Sequence, residues 1–337
     1  MTTWSTRQKR QCLLKVFTLL SVAVSTYMAL AVYHSFSTNK QLNTKDIMDF
    51  EFMSKDEYTI PDIIHLYWPM EEIPADVVPW IRKWRKTNQD YEVWFWTDDA
   101  VRQVLARSNP KFLQTFDHFS QKTQQRSLTL RYFLLYTFGG VFADLDIEPL
   151  ASLEPVLLSK QCIFAEEHPV HKIAKWQHLK TPVIDSIMAC KPKHQFFKFA
   201  VDKISTSRKQ DYTGTELLTD LLKAYRDSNG TESSTIVYQP YSVFLPSYDK
   251  LQPNVNEFFR TCFKYGRKSV AAEWCRRTHD KKFCNCPMKD SVTTHHWQHP
   301  FARRNTNTIS VRKVMTDAKI MKDVFKVHKT STTHKKL

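Results

Sequence analysis

The chain opens on an unbroken apolar run. Val16 to Tyr33 holds eighteen residues without a charge. At ~1.5 Å rise per residue a helix of that length reaches about 27 Å, enough for the hydrocarbon core of a bilayer. Polar residues then fill 34–57, and a different pattern starts at Ile60. Ile63-Ile64-His65-Leu66-Tyr67-Trp68 lies between Pro61 and Pro69 and reads as a buried strand. Val77 to Lys86 carries Val78, Ile81 and Trp84 at helical spacing. Tyr91 to Trp96 reads as a second strand, and Thr97-Asp98-Asp99 supplies an N-cap for a helix over Ala100–Ala106. Ser127 to Phe138 is a third helical segment, stopped by Gly139-Gly140 and followed by the short strand Val141-Phe142-Ala143. Strand and helix in alternation predict an α/β domain with a mostly parallel sheet.

Charge refines the first segment. Arg7, Lys9, Arg10 and Lys15 precede the apolar run with no acid among them, so the positive-inside bias keeps the tail cytosolic. The predicted organisation is a cytosolic tail (1–15), a type II signal anchor (16–33), a stem (34–57), a lumenal catalytic domain (58–302) and a basic tail (303–337). A cleaved signal peptide is the competing reading. The run is longer than the usual apolar region of such a peptide and lacks a small-x-small cleavage site.

The net charge of +15 at first points to nucleic acid. Four of those charges precede the apolar run, and ten Lys/Arg against Asp317 and Asp323 lie from Arg303 onward. The body keeps only +3. A nucleic-acid groove would concentrate the excess in the folded part, so that class is excluded. In an oxidising lumen six cysteines (Cys162, Cys190, Cys262, Cys275, Cys284, Cys286) can close three disulfides, with fifteen pairings open. The Cys284-x-Cys286 spacing with Cys275 leaves zinc as an alternative, though no C-x₂-C pair exists. Asn229-Gly-Thr231 is the single glycosylation sequon.

The candidate chemistry follows the short strand. Asp144 and Asp146 are separated by one residue at the strand's carboxyl end, where open α/β sheets bind ligands. Paired carboxylates there can hold a hard divalent cation, with a diphosphate completing the coordination. A bare D-x-D is weak. Preceded by Arg131-Tyr132-Phe133-Leu134-Leu135-Tyr136-Thr137-Phe138-Gly139-Gly140, it resembles the sugar-binding DXD region of family 32 glycosyltransferases. That group contains fungal mannosyltransferases and animal α1,4-galactosyltransferases. The segment is more distantly similar to the clostridial glucosylating toxins. The opening Ile60–Trp68 resembles the start of these domains as well.

The resemblance implies a GT-A, Rossmann-like domain and a retaining, metal-dependent hexosyltransferase in the Golgi membrane. Mn²⁺ or Mg²⁺ and a UDP- or GDP-sugar donor are implied, with a glycolipid or glycoprotein glycan as acceptor. Carried over by position, Asp146 is the metal ligand, and Asp144 faces sugar hydroxyls and assists. Arg131 contacts the donor, Trp68 stacks on its base beside Tyr67, and Gly139 and Gly140 allow close backbone approach. His296 and His299, within His295-His296-Trp297-Gln298-His299-Pro300-Phe301, are the expected imidazole ligands. Thr213-Gly214-Thr215 resembles an acceptor-side loop with Thr215 in place of Pro.

Two departures stand out. Relatives usually carry an acid three residues before the arginine, where this chain has Leu128. Asp185-Ser186-Ile187-Met188 replaces an Asn-led stretch. The first leaves open a lumenal binding or scaffold protein that kept the fold without turnover. A metal-dependent hydrolase predicts further acids near the pair, for which Glu166 and Glu167 are the nearby candidates.

Overall fold

A computed structural model describes residues 59–119, 123–206, 214–228, 232–266, 268–280, 284–300 and 307–315. The predicted tail, anchor and stem, the sequon Asn229-Gly-Thr231 and most of the basic C-terminus lie outside them. Among the described residues no helix is long and apolar enough to cross a membrane.

Ten strands are described: β1 (Ile63–Tyr67), β2 (Glu72–Pro74), β3 (Glu92–Trp96), β4 (Gly140–Ala143), β5 (Ile147–Pro149), β6 (Cys162–Glu166), β7 (Val183–Cys190), β8 (Ile236–Gln239), β9 (Thr293–His295) and β10 (Thr308–Ser310). The longer helices are α1 (Val78–Thr87), α2 (Asp98–Ser108), α3 (Pro110–His118), α4 (Thr123–Phe138), α5 (Gln195–Thr206), α6 (Gly214–Ser228), α7 (Pro253–Thr261) and α8 (Val270–His279). The main sheet runs β3-β1-β4-β7-β6-β8. β1 is parallel to β3 and β4, β6 is parallel to β8, and β7 opposes both neighbours. Five of six strands therefore share one direction, which meets the expectation of a mostly parallel sheet. Two small antiparallel pairs, β2–β10 and β5–β9, fold later chain back onto it.

Alternation along the strands divides the core. Ile63, Tyr67, Trp94, Trp96 and Phe142 enter one apolar cluster under α2 to α6. Ile64, Leu66, Val93, Phe95 and Val141 enter the other, where α1 buries Val78, Ile81 and Trp84. Strands buried on both faces read as continuous apolar runs, as these do. Thr97 caps α2 through its side chain, which accepts from the Ala100 N–H at 3.3 Å. A third cluster gathers Tyr248, Val255, Phe258 and Trp274 around α7 and α8. All six described cysteines pair, as Cys162–Cys190, Cys262–Cys275 and Cys284–Cys286.

The joint between α4 and β4 depends on its two glycines. Gly139 has φ +66° and Gly140 φ +87°, conformations that side-chain-bearing residues seldom adopt. A Cβ on Gly140 would stand 2.5 Å from the Ile63 carbonyl oxygen, and one on Gly139 would meet Pro192 at 2.6 Å. The close approach expected at these positions is thus to the chain's own backbone, with no donor required to explain it. Gly140→Ala is expected to cost at least about 2 kcal/mol in urea unfolding, because strain and clash add.

Beside this joint His65 is fully buried. The Trp96 indole donates to its Nδ1 at 3.0 Å, so the imidazole donates from Nε2 to the Gly139 carbonyl at 2.8 Å. Burial drives its pKa down to about 4 despite the Gly139 bond, and the ring is neutral in the fold. An unfolded histidine charges near 6.5, so this group's contribution is fully present above that pH. It is lost as pH falls toward 4. Between pH 7 and 4.5 it should remove about 2–3 kcal/mol. A His65→Gln chain measured alongside should lack that part of the slope.

Candidate active site

β4 ends at Ala143, and Asp144-Leu145-Asp146-Ile147 forms a tight turn closed by the Ile147 N–H to the Asp144 carbonyl at 3.0 Å. The turn buries Leu145 and holds both carboxylates at one sheet edge. The Asp144 N–H donates to the Ser186 carbonyl at 2.9 Å, which extends the β4–β7 ladder to the turn itself.

Arg131 reaches the turn from α4. It is 2% exposed and lies over the Phe142 ring at 4.7 Å. Its Nη2 donates to Asp144 Oδ1 at 3.0 Å, and its Nη1 donates to Asp185 Oδ2 at 3.0 Å and to the Asp185 carbonyl at 2.6 Å. Ser127, one helical turn earlier, accepts from Nε and Nη2 at 3.1 and 3.2 Å. A buried guanidinium with this many acceptors is fixed in place and stays charged. Asp185 is wedged between Arg131 and the start of α6, where a Cβ on Gly214 would sit 2.2 Å from its Oδ2. Leu128 is half-buried. The acid absent there has a counterpart on β7, across the guanidinium.

The two aspartates differ electrostatically. Burial raises the Asp144 carboxyl to about 6, and the Asp146 and Asp185 charges add to this against the pull of Arg131. A quarter of its side chain (25%) remains open, a face from which a cation or phosphate can approach. Asp146 is 3% exposed. Burial pushes it upward too. The charge and hydrogen bond of His295, with the Gln298 N–H at 2.9 Å, outweigh that and hold it at about 2.

His295 comes from β9, which pairs with β5 so that His295 faces Ile147. Its Nε2 lies 3.0 Å from Asp146 Oδ1. Burial opposes its charge, yet Asp146 and Asp144 raise its pKa. Its Nδ1 is buried without a hydrogen-bond partner. The expected imidazoles go elsewhere. His296 contacts Glu148 Oε2 at 2.6 Å and stacks on Trp80 at 4.2 Å. His299 contacts Asp249 Oδ2 at 2.8 Å. Neither imidazole is placed against the Asp146 carboxylate, although the His296 backbone N–H donates to the Asp146 carbonyl at 2.9 Å. Successive residues of a strand face opposite sides, so only one member of the His295-His296 pair can meet the turn. His299 lies past Trp297, both with left-handed φ (+53° at Trp297, +47° at His299), and the chain has turned away by then.

Around this pair is a network the sequence left unassigned. Trp297 lies between His295 and His171, at 3.9 and 4.6 Å. His171 Nε2 accepts from the Asp249 N–H at 2.8 Å, so its Nδ1 donates to Glu167 Oε1 at 2.9 Å. Thr215 Oγ1 is 3.4 Å from Glu167 Oε2. These buried groups tie β6, α6 and the histidine-rich segment together. Its sequence signals were the Glu166-Glu167 pair, Thr215 of the acceptor-side loop and Trp297 of the histidine-rich segment.

Trp68 and Tyr67 are core residues here. Trp68 is 7% exposed, and its indole donates to the Glu72 carbonyl at 2.9 Å. The Tyr67 hydroxyl donates to Asp98 Oδ1 at 2.6 Å, and Asp98 in turn pairs with Arg126 at 2.5 Å. Burial, then Asp98, pushes the phenol well above its usual range. Tyr67 thus links β1 to α2 and α4 behind the site.

The donors are split in this structure. Asp146 and His295 meet at the turn, whereas the Asp144 carboxylate is held on Arg131 with one face open, and the ligand atoms of the three do not gather within 4.8 Å of one another. His295 in its charged form occupies the electrostatic role beside Asp146 that a cation can take.

Residues 74–164 match the family model described as the glycosyltransferase sugar-binding region containing DXD motif. The chain is similar to inositol phosphoceramide mannosyltransferase 3 of Schizosaccharomyces pombe, 34% identical over 116 residues, 34% of this chain and 32% of that protein. It is also similar to mannosyl phosphorylinositol ceramide synthase CSH1 of Saccharomyces cerevisiae, 27% identical over 214 residues, 60% of this chain and 54% of that one. The chain spans between a third and about half the length of these two relatives. Among solved structures it overlaps an active-site mutant of LgtC (11% identity, 75% of this chain and 94% of that one, TM-score 0.38). It also overlaps the PaToxG glycosyltransferase (18%, 57% and 80%, TM-score 0.37). These overlaps are loose. Residues 74–164 thus match a glycosyltransferase sugar-binding region, and Asp144-Leu145-Asp146 is the D-x-D sequence inside the matched span.

Proposed function

We propose that this chain is a membrane-anchored, metal-dependent hexosyltransferase that moves sugar from a UDP- or GDP-sugar to a glycolipid acceptor in the Golgi lumen. The observation that carries the reading is the buried Arg131–Asp144–Asp185 cluster beside Asp146 and His295 at the end of β4. The names of the relatives make mannose the first sugar and inositol phosphoceramide the first acceptor to try.

Asp146, assisted by Asp144, would hold the cation. Bound there, Mn²⁺ or Mg²⁺ supplies positive charge to a departing diphosphate. The chain's own residues do the rest. Arg131, immobilised by Ser127 and Asp185, keeps a permanent positive charge at the same edge. Asp144 stands between that guanidinium and the open side, where its oxygens can accept from sugar hydroxyls. The Gln298 N–H and His295 fix the rotamer of Asp146. Preorganised charge of this kind lowers a barrier without rearrangement during the reaction.

Thermal-shift measurement of the purified chain against UDP- and GDP-sugars, with and without Mn²⁺, tests the reading. A metal-dependent rise in Tm with one nucleotide class, together with transfer to a lipid acceptor, is expected. Binding without turnover would instead favour the scaffold reading that Leu128 leaves open. No response to any donor with any cation would sink the proposal.

A further inference from the structure

The turn between α7 and α8 places exposed apolar side chains beside exposed lysines. Phe263 is 75% exposed, Val270 62% and Tyr265 36%, and Lys264 and Lys268 are exposed beside them. No acid occurs between Glu257 and Glu273. Those two flanking acids are turned onto cations of their own helices, Glu257 onto Arg260 and Glu273 onto Arg277. Lys264 and Lys268 make no ion pair among the described residues. The turn therefore presents apolar rings and uncompensated positive charge together.

The turn is also stiff. Cys262 is fully buried and bonded to Cys275 of α8. The Tyr265 N–H donates to the Cys262 carbonyl at 3.2 Å, and the Ser269 N–H donates to the Gly266 carbonyl at 2.8 Å. The Ser269 hydroxyl caps α8 by accepting from the Ala272 N–H at 3.1 Å. Tyr265 leans on Phe258, ring centroids 6.0 Å apart. An apolar ring held outward by a stapled turn cannot retreat into the core, and it carries a standing hydration cost until something covers it.

We propose that the exposed described residues of this turn, Phe263, Lys264, Tyr265, Lys268 and Val270, form a membrane-docking surface for a bilayer bearing anionic lipid headgroups. Charge complementarity selects this occupant: aromatic and aliphatic tips suit the headgroup–acyl boundary, and lysines flanking them suit anionic headgroups. A protein partner with a dry apolar patch would leave Lys264 and Lys268 unpaired. Stiffness favours docking, because little order remains to be lost. The proposal rests on the reading of a lipid acceptor and extends it. The turn would hold the catalytic domain against the surface in which the acceptor lies.

Hydrogen exchange of the backbone amides of this turn tests it on the full chain, in neutral bilayers and in bilayers containing an anionic inositol phospholipid. Exchange should slow in the anionic bilayer, by about fivefold in docking equilibrium for each lysine engaged, and recover in high salt. The pair Phe263→Ser and Lys264→Glu should abolish the slowing while Tm and the Cys262–Cys275 bond stay unchanged, since neither side chain is buried. Equal exchange in neutral and anionic bilayers would overturn the proposal, as would protection that survives the double substitution. Flotation of the chain with vesicles reads the N-terminal anchor separately, and transferase assays with a detergent-dispersed acceptor read the activity. Failure of either leaves the exchange comparison intact.

Discussion

Asp146→Asn is expected to reduce sugar transfer by about 10³-fold or more and to lower the urea midpoint. The substitution keeps the shape of the turn and removes one full negative charge from the place where a cation would sit. Loss of a single preorganised charge or donor at a developing anion costs about 10²–10³ in rate, and loss of a metal's own contribution adds to that. Stability should fall by about 2 kcal/mol, because the fold holds this carboxyl at about 2, below its usual 3.8, and that preference for the charged form goes with the charge. Steady-state transfer by the two chains, with and without a chelator, reads the first part. Urea unfolding reads the second. Undiminished transfer by the variant in the presence of a chelator would remove Asp146 from the chemistry. The corresponding Asp144→Asn chain should be less impaired, because Asp146 keeps its charge and its His295 partner.

Arg131→Met should be the more damaging change to the fold. It removes the guanidinium that pairs with both Asp144 and Asp185 and leaves two neighbouring carboxylates without that counter-charge beside buried Phe142. Breaking a buried pair by deleting one member costs about 3–5 kcal/mol, far more than the pair contributes when intact. Transfer should fall below detection. Arg131→Lys should recover little, since a single ammonium cannot span both carboxylates and the Ser127 carbonyl. Adding Asp185→Asn to Arg131→Met should return part of the lost stability, because it deletes the uncompensated charge. A double-mutant cycle in urea measures that coupling. A loss under about 1 kcal/mol for Arg131→Met would show that water already screens this cluster.

Much of this site was legible from spacing. The helix, the Gly-Gly stop, the short strand and the acidic pair are consecutive in the chain, so local pattern places them without tertiary knowledge. Arg131 lies on the last turns of the helix that delivers the strand, close enough in sequence for its partnership with Asp144 to be anticipated. His295 is different. A run of histidines announces imidazole chemistry but does not say which ring points where. The register of β9 on β5, set about 150 residues away in sequence, decides it. The rings of His296 and His299 lie on Glu148 and Asp249 instead. Asp185 was visible only as an oddity, and its contact with Arg131 depends on β7 running antiparallel beside β4.

By itself, then, the sequence determined the α/β alternation from Ile60 onward, the acidic turn at a strand's end and the apolar segment near the N-terminus. It determined these because propensity, period and capping act over a few residues. Only the tertiary structure decided that Trp68 and Tyr67 are core-packed, that Gly139 and Gly140 serve a backbone joint, and that His295, Asp185 and Glu167 gather around the motif. Those outcomes depend on long-range strand register and on which face of each element meets a neighbour, information that a local pattern does not contain.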